Sequence, residues 1–426
     1  MKTLIKNGLV LDMSKNQPNA EIKDILIEDN IISRIEKDID IDNIEKLINA
    51  EGKAVMPGLV NCHNHVAMTL FRGYADDSDL MSWLKEKIWP AEEKLTSKAV
   101  YYGSALGIIE MLKSGTTTFN DMYFFMEDVA KACIDSGIRC TLGRSLIDSS
   151  DNDERITETI DLYRNFNRQA NGRININIAA HAPYTCNPEL IQKAVGLSKE
   201  FNVPLHIHLS ETMDENNEIF EKYKMSPTQY LKQNGVFDVP VILAHGVWLS
   251  DEDVDIIKSI QGGISHNPIS NLKLACGIAP IIKYKNEGLT IGLGTDGAGS
   301  TNTLDMFEQM KVCNLMQKVS NMEPTIINAF ETIKMATIDG AKVLGLEKEI
   351  GSIECGKKAD IIIIDLNKPH LTPLNDVYSI IVYSANGADV DTTIVDGKIV
   401  MENRNLLTMN EIEIIEKGIE EANKIL

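Results

Sequence analysis

The chain has 426 residues, 43% of them hydrophobic, with 42 Lys plus Arg against 62 Asp plus Glu and a formal net charge of −20. That length exceeds one average domain and points to about two to three. The acidic field repels phosphate backbones and anionic lipid headgroups, which argues against nucleic-acid and membrane-surface partners. Seven cysteines, at 62, 133, 140, 186, 276, 313 and 355, are scattered and form no CxxC pair. They read as reduced thiols of a cytoplasmic protein. No apolar run reaches the ~18 residues of a membrane span. The N-terminal stretch is broken by Asn7, Gly8 and Asp12, unlike a signal peptide.

The two ends carry hairpin signals: Asn7-Gly8 between LIK and LVL, Asp29-Asn30 between ILIE and IIS, and Asp396-Gly397 between TTIV and KIV. With the β-branched run at 361–364 they predict a small β-sandwich built from residues 1–56 and 350–405, since neither flank alone could bury its apolar face. Between them, residues 57–349 alternate. Eight β-rich runs recur in order: AVMPGLVNCHNH, GTTTFNDM, IRCTLGRSL, ININIAAHAPY, VPLHIHLSE, VPVILAHGVW, GGISHNP and LTIGLGTDG.

Helical spacing of apolar residues separates these runs at 99–112, 128–134, 188–201, 251–260 and 325–344. Eight strand-helix units predict an α/β fold with a (β/α)8 TIM barrel. A doubly wound open sheet is the alternative, unsupported because no GxGxxG follows the early strands. Residues 406–426 read as a docking helix. Thr408 and Glu411 have capping-box spacing, and Ile412, Ile415, Ile419, Ala422 and Ile425 form one stripe.

Chemistry in such a barrel sits at the C-terminal ends of the strands. His63 and His65, two apart after the first strand, project to the same side and can converge on one ion. His208 closes the fifth strand, His245 the sixth and Asp296 the eighth; seven of the eight histidines fall in these strand-end strings. Imidazole with carboxylate suits Zn or Fe(II), and a site with an open position lowers the pKa of its water toward ~7. Glu211, three after His208, is either a general acid/base or a helix N-terminal carboxylate on HLSE alone. His206 has the same spacing to His208 as His63 has to His65, so spacing does not choose between them.

The strings PGLVNCHNH, HLSE, AHG, SHNPISNLKL and GTDGAGS, in this order on a barrel flanked by a split β-domain, resemble the amidohydrolase superfamily. Within it the chain is similar to the branch that deaminates purine and related rings, over nearly its whole length. The resemblance implies one zinc ion, with iron as the other candidate, held by His63, His65, His208 and Asp296. It casts Glu211 as the acid that protonates the ring nitrogen and His245 as the residue orienting the attacking hydroxide. Asp296 takes the proton of the water and, like Glu211, contacts substrate. Two-metal members carry a lysine after the fourth strand, which IAAHAPY lacks.

The substrate implied is an adenosine-type thioether. Glu92, in MSWLKEKIWPAEEKLT, would bind the ribose hydroxyls, as a carboxylate suits a vicinal diol; a solvated charge is the bland alternative. Arg144 and Arg155 would hold the carboxylate of an amino-acid tail, although a surface ion pair also accounts for Arg155. His181 would touch purine or ribose. Trp83 is a candidate cover, Ser300 a candidate pocket residue, and Trp89 reads as core. His266 faces the mouth without a role, and His370 reads as exposed.

A guanine or cytosine deaminase or a triazine chlorohydrolase on the same metal site is the alternative, disfavoured by Glu92 and the two arginines. Cyclic-amide hydrolysis lacks its lysine, the small HxE/PCxxC deaminases lack both strings here, and a scaffold barrel would have shed ligands. A homo-oligomer is compatible with the sequence, which does not specify copy number.

Overall fold

The computed structural model of the chain describes residues 2–78 and 80–426. Strands from both ends form one mixed nine-stranded sheet. Its seam is the antiparallel pairing of Ile361–Asp365 with Lys53–Pro57, in register Ile363 to Val55. On one side of the seam lie Lys2–Leu11, Ala20–Glu28, Ile31–Glu36 and Lys46–Asn49; on the other lie Val390–Val395, Lys398–Glu402 and Asn405–Leu406.

Asp29-Asn30 and Asp396-Gly397 make hairpin turns as expected, with Asp29, Asp396 and Gly397 at positive φ. Asn7-Gly8 does not. It is a bulge inside Lys2–Leu11, where the register against Ala20–Glu28 slips between Ile5 and Gly8. A Cβ on Gly8 would come within 2.4 Å of Val55 Cγ2, so close packing against the neighbouring strand explains the glycine.

The eight predicted runs form a parallel sheet with eight positions in chain order. These are Leu59–Asn64, Thr116–Tyr123, Arg139–Leu146, the pair Ile174–Ile176 with Ile178–Ala180, Leu205–Leu209, Val241–His245, Gly262–His266 and Ile291–Leu293. Its first strands are buried on both faces, as parallel strands covered by helices must be. The eighth position meets the first where the Asp296 N–H donates to the His63 carbonyl at 2.9 Å.

Local chemistry sets the helix ends. Asn187 caps Pro188–Phe201, with proline in its first turn, and Asn202 in the left-handed region ends it. The helix expected at 325–344 is two, Ala329–Met335 and Ile338–Val343. Between them the Ala336 carbonyl accepts the Val60 N–H of the first barrel strand at 2.8 Å, so the barrel takes a carbonyl the helix would have used.

Barrel and terminal sheet are joined by a buried fork. Arg139 Nε and Nη2 donate to the two Asp360 oxygens at 2.7 and 3.0 Å. The C-terminal helix, Glu411–Ile425, packs on Ser97–Lys113 but through another face than the sequence stripe suggested. Ile414, Gly418, Glu421 and Ile425 are buried, while Ile412, Ile415 and Ile419 are 71%, 41% and 57% exposed. Ion pairs Lys113–Glu411 and Lys98–Glu421 accompany that rotation. Asn410 is the cap, and Thr408 instead donates to the Ser136 carbonyl. No helix among the described residues is long and apolar enough to cross a membrane.

Candidate active site

The strand ends bring His63, His65, His208, His245 and Asp296 together. The ligand atoms of His63, His65 and His208 lie within 4.8 Å of one another, as do those of His63, His245 and Asp296. His63 and His65 Nε2 are each 3.3 Å from Asp296 Oδ1. The tautomers suit a metal. His65 Nδ1–H donates to the Met122 carbonyl at 2.7 Å and His208 Nδ1–H to the His181 carbonyl at 2.6 Å. Both rings therefore turn an Nε2 lone pair inward.

His63 Nε2 is buried with no hydrogen-bond partner among the described residues, a donor atom that a cation would satisfy. Burial alone would raise the Asp296 carboxyl; His63, which pairs with it, and then His65 and His245 draw it well below the usual range. Its second oxygen accepts from Ser270 Oγ at 2.7 Å and Ser300 Oγ at 2.9 Å. Ser300 thus holds Asp296 and is not part of the cavity wall. Three imidazoles and an ionised carboxylate fit one divalent cation.

Beside this cluster is a cavity that opens to solvent. Glu211 and His245 line it, with Glu211 Oε1 3.7 Å from His245 Nδ1. Burial pushes the Glu211 carboxyl upward. Burial favours neutral His245, but the Glu211 and Asp296 carboxylates and Asn271, whose Oδ1 accepts from Nδ1 at 2.8 Å, outweigh it and raise its pKa. Glu92 and His181 also line the cavity. Glu92 accepts from Tyr123 Oη at 2.7 Å, and burial raises its carboxyl to about 7. His181 is held by Thr185 Oγ1 at 2.7 Å, and burial lowers it to about 3.

Trp83 lies in the wall, and so does Trp89, which the sequence reading assigned to the core. Arg144 and Arg155 are not in the wall. The Arg144 guanidinium pairs with Glu158, donates to the Ser145 carbonyl at 2.7 Å and stacks over Phe124, 5.2 Å from the ring centre. Phe124 and Ser145 themselves line the cavity, so Arg144 is held just behind the wall. Arg155 Nη1 donates to the carbonyl of Ile147, another lining residue, at 3.1 Å. His370 is exposed and pairs with Asp389.

Several contacts around the site had no sequence signal. Glu215 is buried and accepts the Ser210 and Glu211 N–H groups, each at 2.9 Å, which fixes the backbone that carries Glu211. Cys276 places Sγ 3.6 Å from Glu211 Oε1. His206 lies behind His63, its Nε2 3.0 Å from His63 Nδ1. His266 is buried, with neither ring nitrogen hydrogen-bonded among the described residues.

A parallel barrel with a histidine and aspartate metal site at its strand ends, beside a cavity with a raised carboxyl, defines a metal-dependent hydrolase. The chain belongs to the amidohydrolase family, whose model matches residues 54–400. It is 49% identical to a 5-methylthioadenosine/S-adenosylhomocysteine deaminase of Carboxydothermus hydrogenoformans, over 99% of this chain and 96% of that protein. It is also 49% identical to a 5'-deoxyadenosine deaminase of Methanobrevibacter smithii, over 97% of this chain and 96% of the relative. A crystal structure of an adenosine deaminase from Xanthomonas campestris with bound zinc superposes with TM-score 0.95, at 30% identity, covering 99% of this chain and 98% of that one.

Proposed function

We propose that the protein hydrolytically deaminates the adenine ring of 5'-substituted adenosines: S-adenosylhomocysteine, 5-methylthioadenosine and 5'-deoxyadenosine, with adenosine a further substrate, releasing ammonia. The observation that carries this reading is the convergence of Glu211, His245 and Asp296 beside three histidines, in a cavity whose wall also holds Glu92. Full-length relatives bearing those activities support it.

His63, His65, His208 and Asp296 would hold one zinc ion, which supplies a water acidified enough to react at neutral pH. No lysine among the described residues lines the cavity, consistent with a single ion. Glu211, whose carboxyl burial pushes upward, gives a proton to N1 of the ring, which makes C6 electrophilic. Asp296 accepts the proton of the water that adds there. His245, held by Asn271, orients the added oxygen; the amine takes the proton held by Asp296 and leaves C6 as ammonia, and the added hydroxyl returns a proton to Glu211 as it becomes the carbonyl of an inosine-type product.

Glu92 accepts from the ribose hydroxyls, and His181 contacts purine or ribose. Arg144 and Arg155 are the cations nearest the wall for a carboxylate tail, and Arg144 must leave Glu158 to reach one. The methylthio group and the plain 5'-methyl meet apolar Leu84, Trp89, Phe124 and Ile147 without any such change. The adenine-to-hypoxanthine absorbance change, followed with each nucleoside and with guanine on zinc-analysed protein, tests the reading.

A further inference from the structure

Glu211 is the residue on which the proposed proton transfers turn, and two buried side chains outside the cavity wall grip it from its two ends. The first is Glu215, in the first turn of the helix Met213–Tyr223. Its two carboxyl oxygens accept the N–H groups of Ser210 and Glu211, each at 2.9 Å. Ser210 sits at φ +48°, a left-handed conformation that is costly for any residue with a Cβ. Its carbonyl accepts from the Val247 and Trp248 N–H groups at 3.0 and 2.9 Å. The strained kink that carries Glu211 is thus held on both sides of the chain.

The second is Cys276, whose Sγ lies 3.6 Å from Glu211 Oε1. The size of sulfur makes that a hydrogen-bonding distance, and a thiol is a weak donor. His245 Nδ1 is 3.7 Å from the same oxygen but gives its hydrogen to Asn271. Among the described residues the thiol is the one donor that hydrogen-bonds the Glu211 carboxyl.

The aim of this thiol is built into its loop. Ala275 at φ +54° and Gly277 at φ +122° flank it. The Cys276 N–H donates to the Asn271 carbonyl at 2.8 Å, and its carbonyl accepts from the Trp248 indole at 2.7 Å. Trp248 belongs to the turn that also holds Ser210, so the loops after the fifth, sixth and seventh strands lock together around Glu211.

We infer that Glu215 and Cys276 are positioning residues for Glu211: Glu215 holds the kink that carries it, and Cys276 holds Oε1, so that Oε2 exchanges the proton with N1 of the ring. The inference rests on Glu211 being the acid proposed above. A weak donor suits the place. A lysine or arginine there would favour the bare carboxylate, whereas a thiol orients one oxygen and leaves the group able to take a proton back.

Steady-state kinetics on zinc-loaded protein, with 5'-deoxyadenosine as the probe, separates positioning from packing. Cys276→Ala should lower kcat by about tenfold, with KM, zinc content and circular dichroism as in the parent. Cys276→Ser, whose hydroxyl also donates, should recover most of that loss. Glu215→Gln offers one acceptor to two N–H groups and should lower kcat by about tenfold or more at unchanged KM; if it does not fold, the Cys276 variants decide. Added to Glu211→Gln, either change should cost less than about twofold more, because the group it places no longer has a proton to give. Parent-like kcat in Cys276→Ala or in folded Glu215→Gln, serine no better than alanine, a raised KM in place of the lowered kcat, or full losses that persist in the Glu211→Gln background would each overturn the inference. Parent-like turnover of Glu211→Gln itself would instead sink the proton shuttle on which it stands.

Discussion

Glu211 Oε1 and His245 Nδ1 face each other 3.7 Å apart, with the Asn271 amide oxygen 2.8 Å from the same His245 nitrogen. One hydrogen on that nitrogen serves Asn271, which leaves the Glu211 carboxyl unconsumed by its neighbour. Burial pushes the Glu211 carboxyl upward, the direction a proton donor needs.

Replacing Glu211 by Gln removes the proton and keeps the shape. Turnover should fall by about 10²- to 10⁴-fold, with zinc content unchanged by metal analysis. Parent-like turnover with intact zinc would refute the proton shuttle.

Glu92 titrates at about 7, where burial has moved it. Below that pH its carboxyl is neutral and accepts poorly from two hydroxyls; above it the carboxylate is complete. KM for a nucleoside should therefore fall as pH rises through about 7. Glu92→Gln should raise KM by about tenfold or more, on the scale of a hydrogen bond to a charged group, and flatten that dependence. Steady-state kinetics across pH measures both.

Arg144 is occupied by Glu158 in this structure. Glu158→Gln should release the guanidinium and raise kcat/KM for S-adenosylhomocysteine over 5'-deoxyadenosine by about tenfold, as charge-assisted pairs are the strong ones. Adding Arg144→Ala should cancel the gain. An unchanged ratio in the single variant would mean that the ion pair does not limit access to the tail.

The Arg139–Asp360 fork, with both side chains at 2% exposure or less, joins the barrel to the terminal sheet. Arg139→Leu strands a buried carboxylate and should cost about 3–5 kcal/mol, read as a lowered denaturant midpoint.

Much of this molecule is legible in its sequence, and what is missing has identifiable causes. The eight strands announce themselves because strands buried on both faces are nearly continuous apolar runs ending in polar strings. His208 and His206 share one strand face, so the pattern cannot say which of them reaches the metal site; depth along the barrel separates them. Glu215 and Tyr123 act on partners that only folding brings near, and no local spacing marks them. The C-terminal helix fails differently. Its isoleucine stripe is real, but Ile412, Ile415 and Ile419 are exposed while Ile414, Gly418 and Ile425 are buried, and periodicity alone does not say which face meets the neighbouring helix.

The most direct test of the central claim is one absorbance assay on zinc-loaded and chelated protein, offering S-adenosylhomocysteine, 5-methylthioadenosine, 5'-deoxyadenosine, adenosine and guanine. The expected result is conversion of the adenosine derivatives to their inosine counterparts with one ammonia each, lost on chelation and regained with zinc. Turnover of guanine alone, or deamination that persists at full rate without metal, would contradict it.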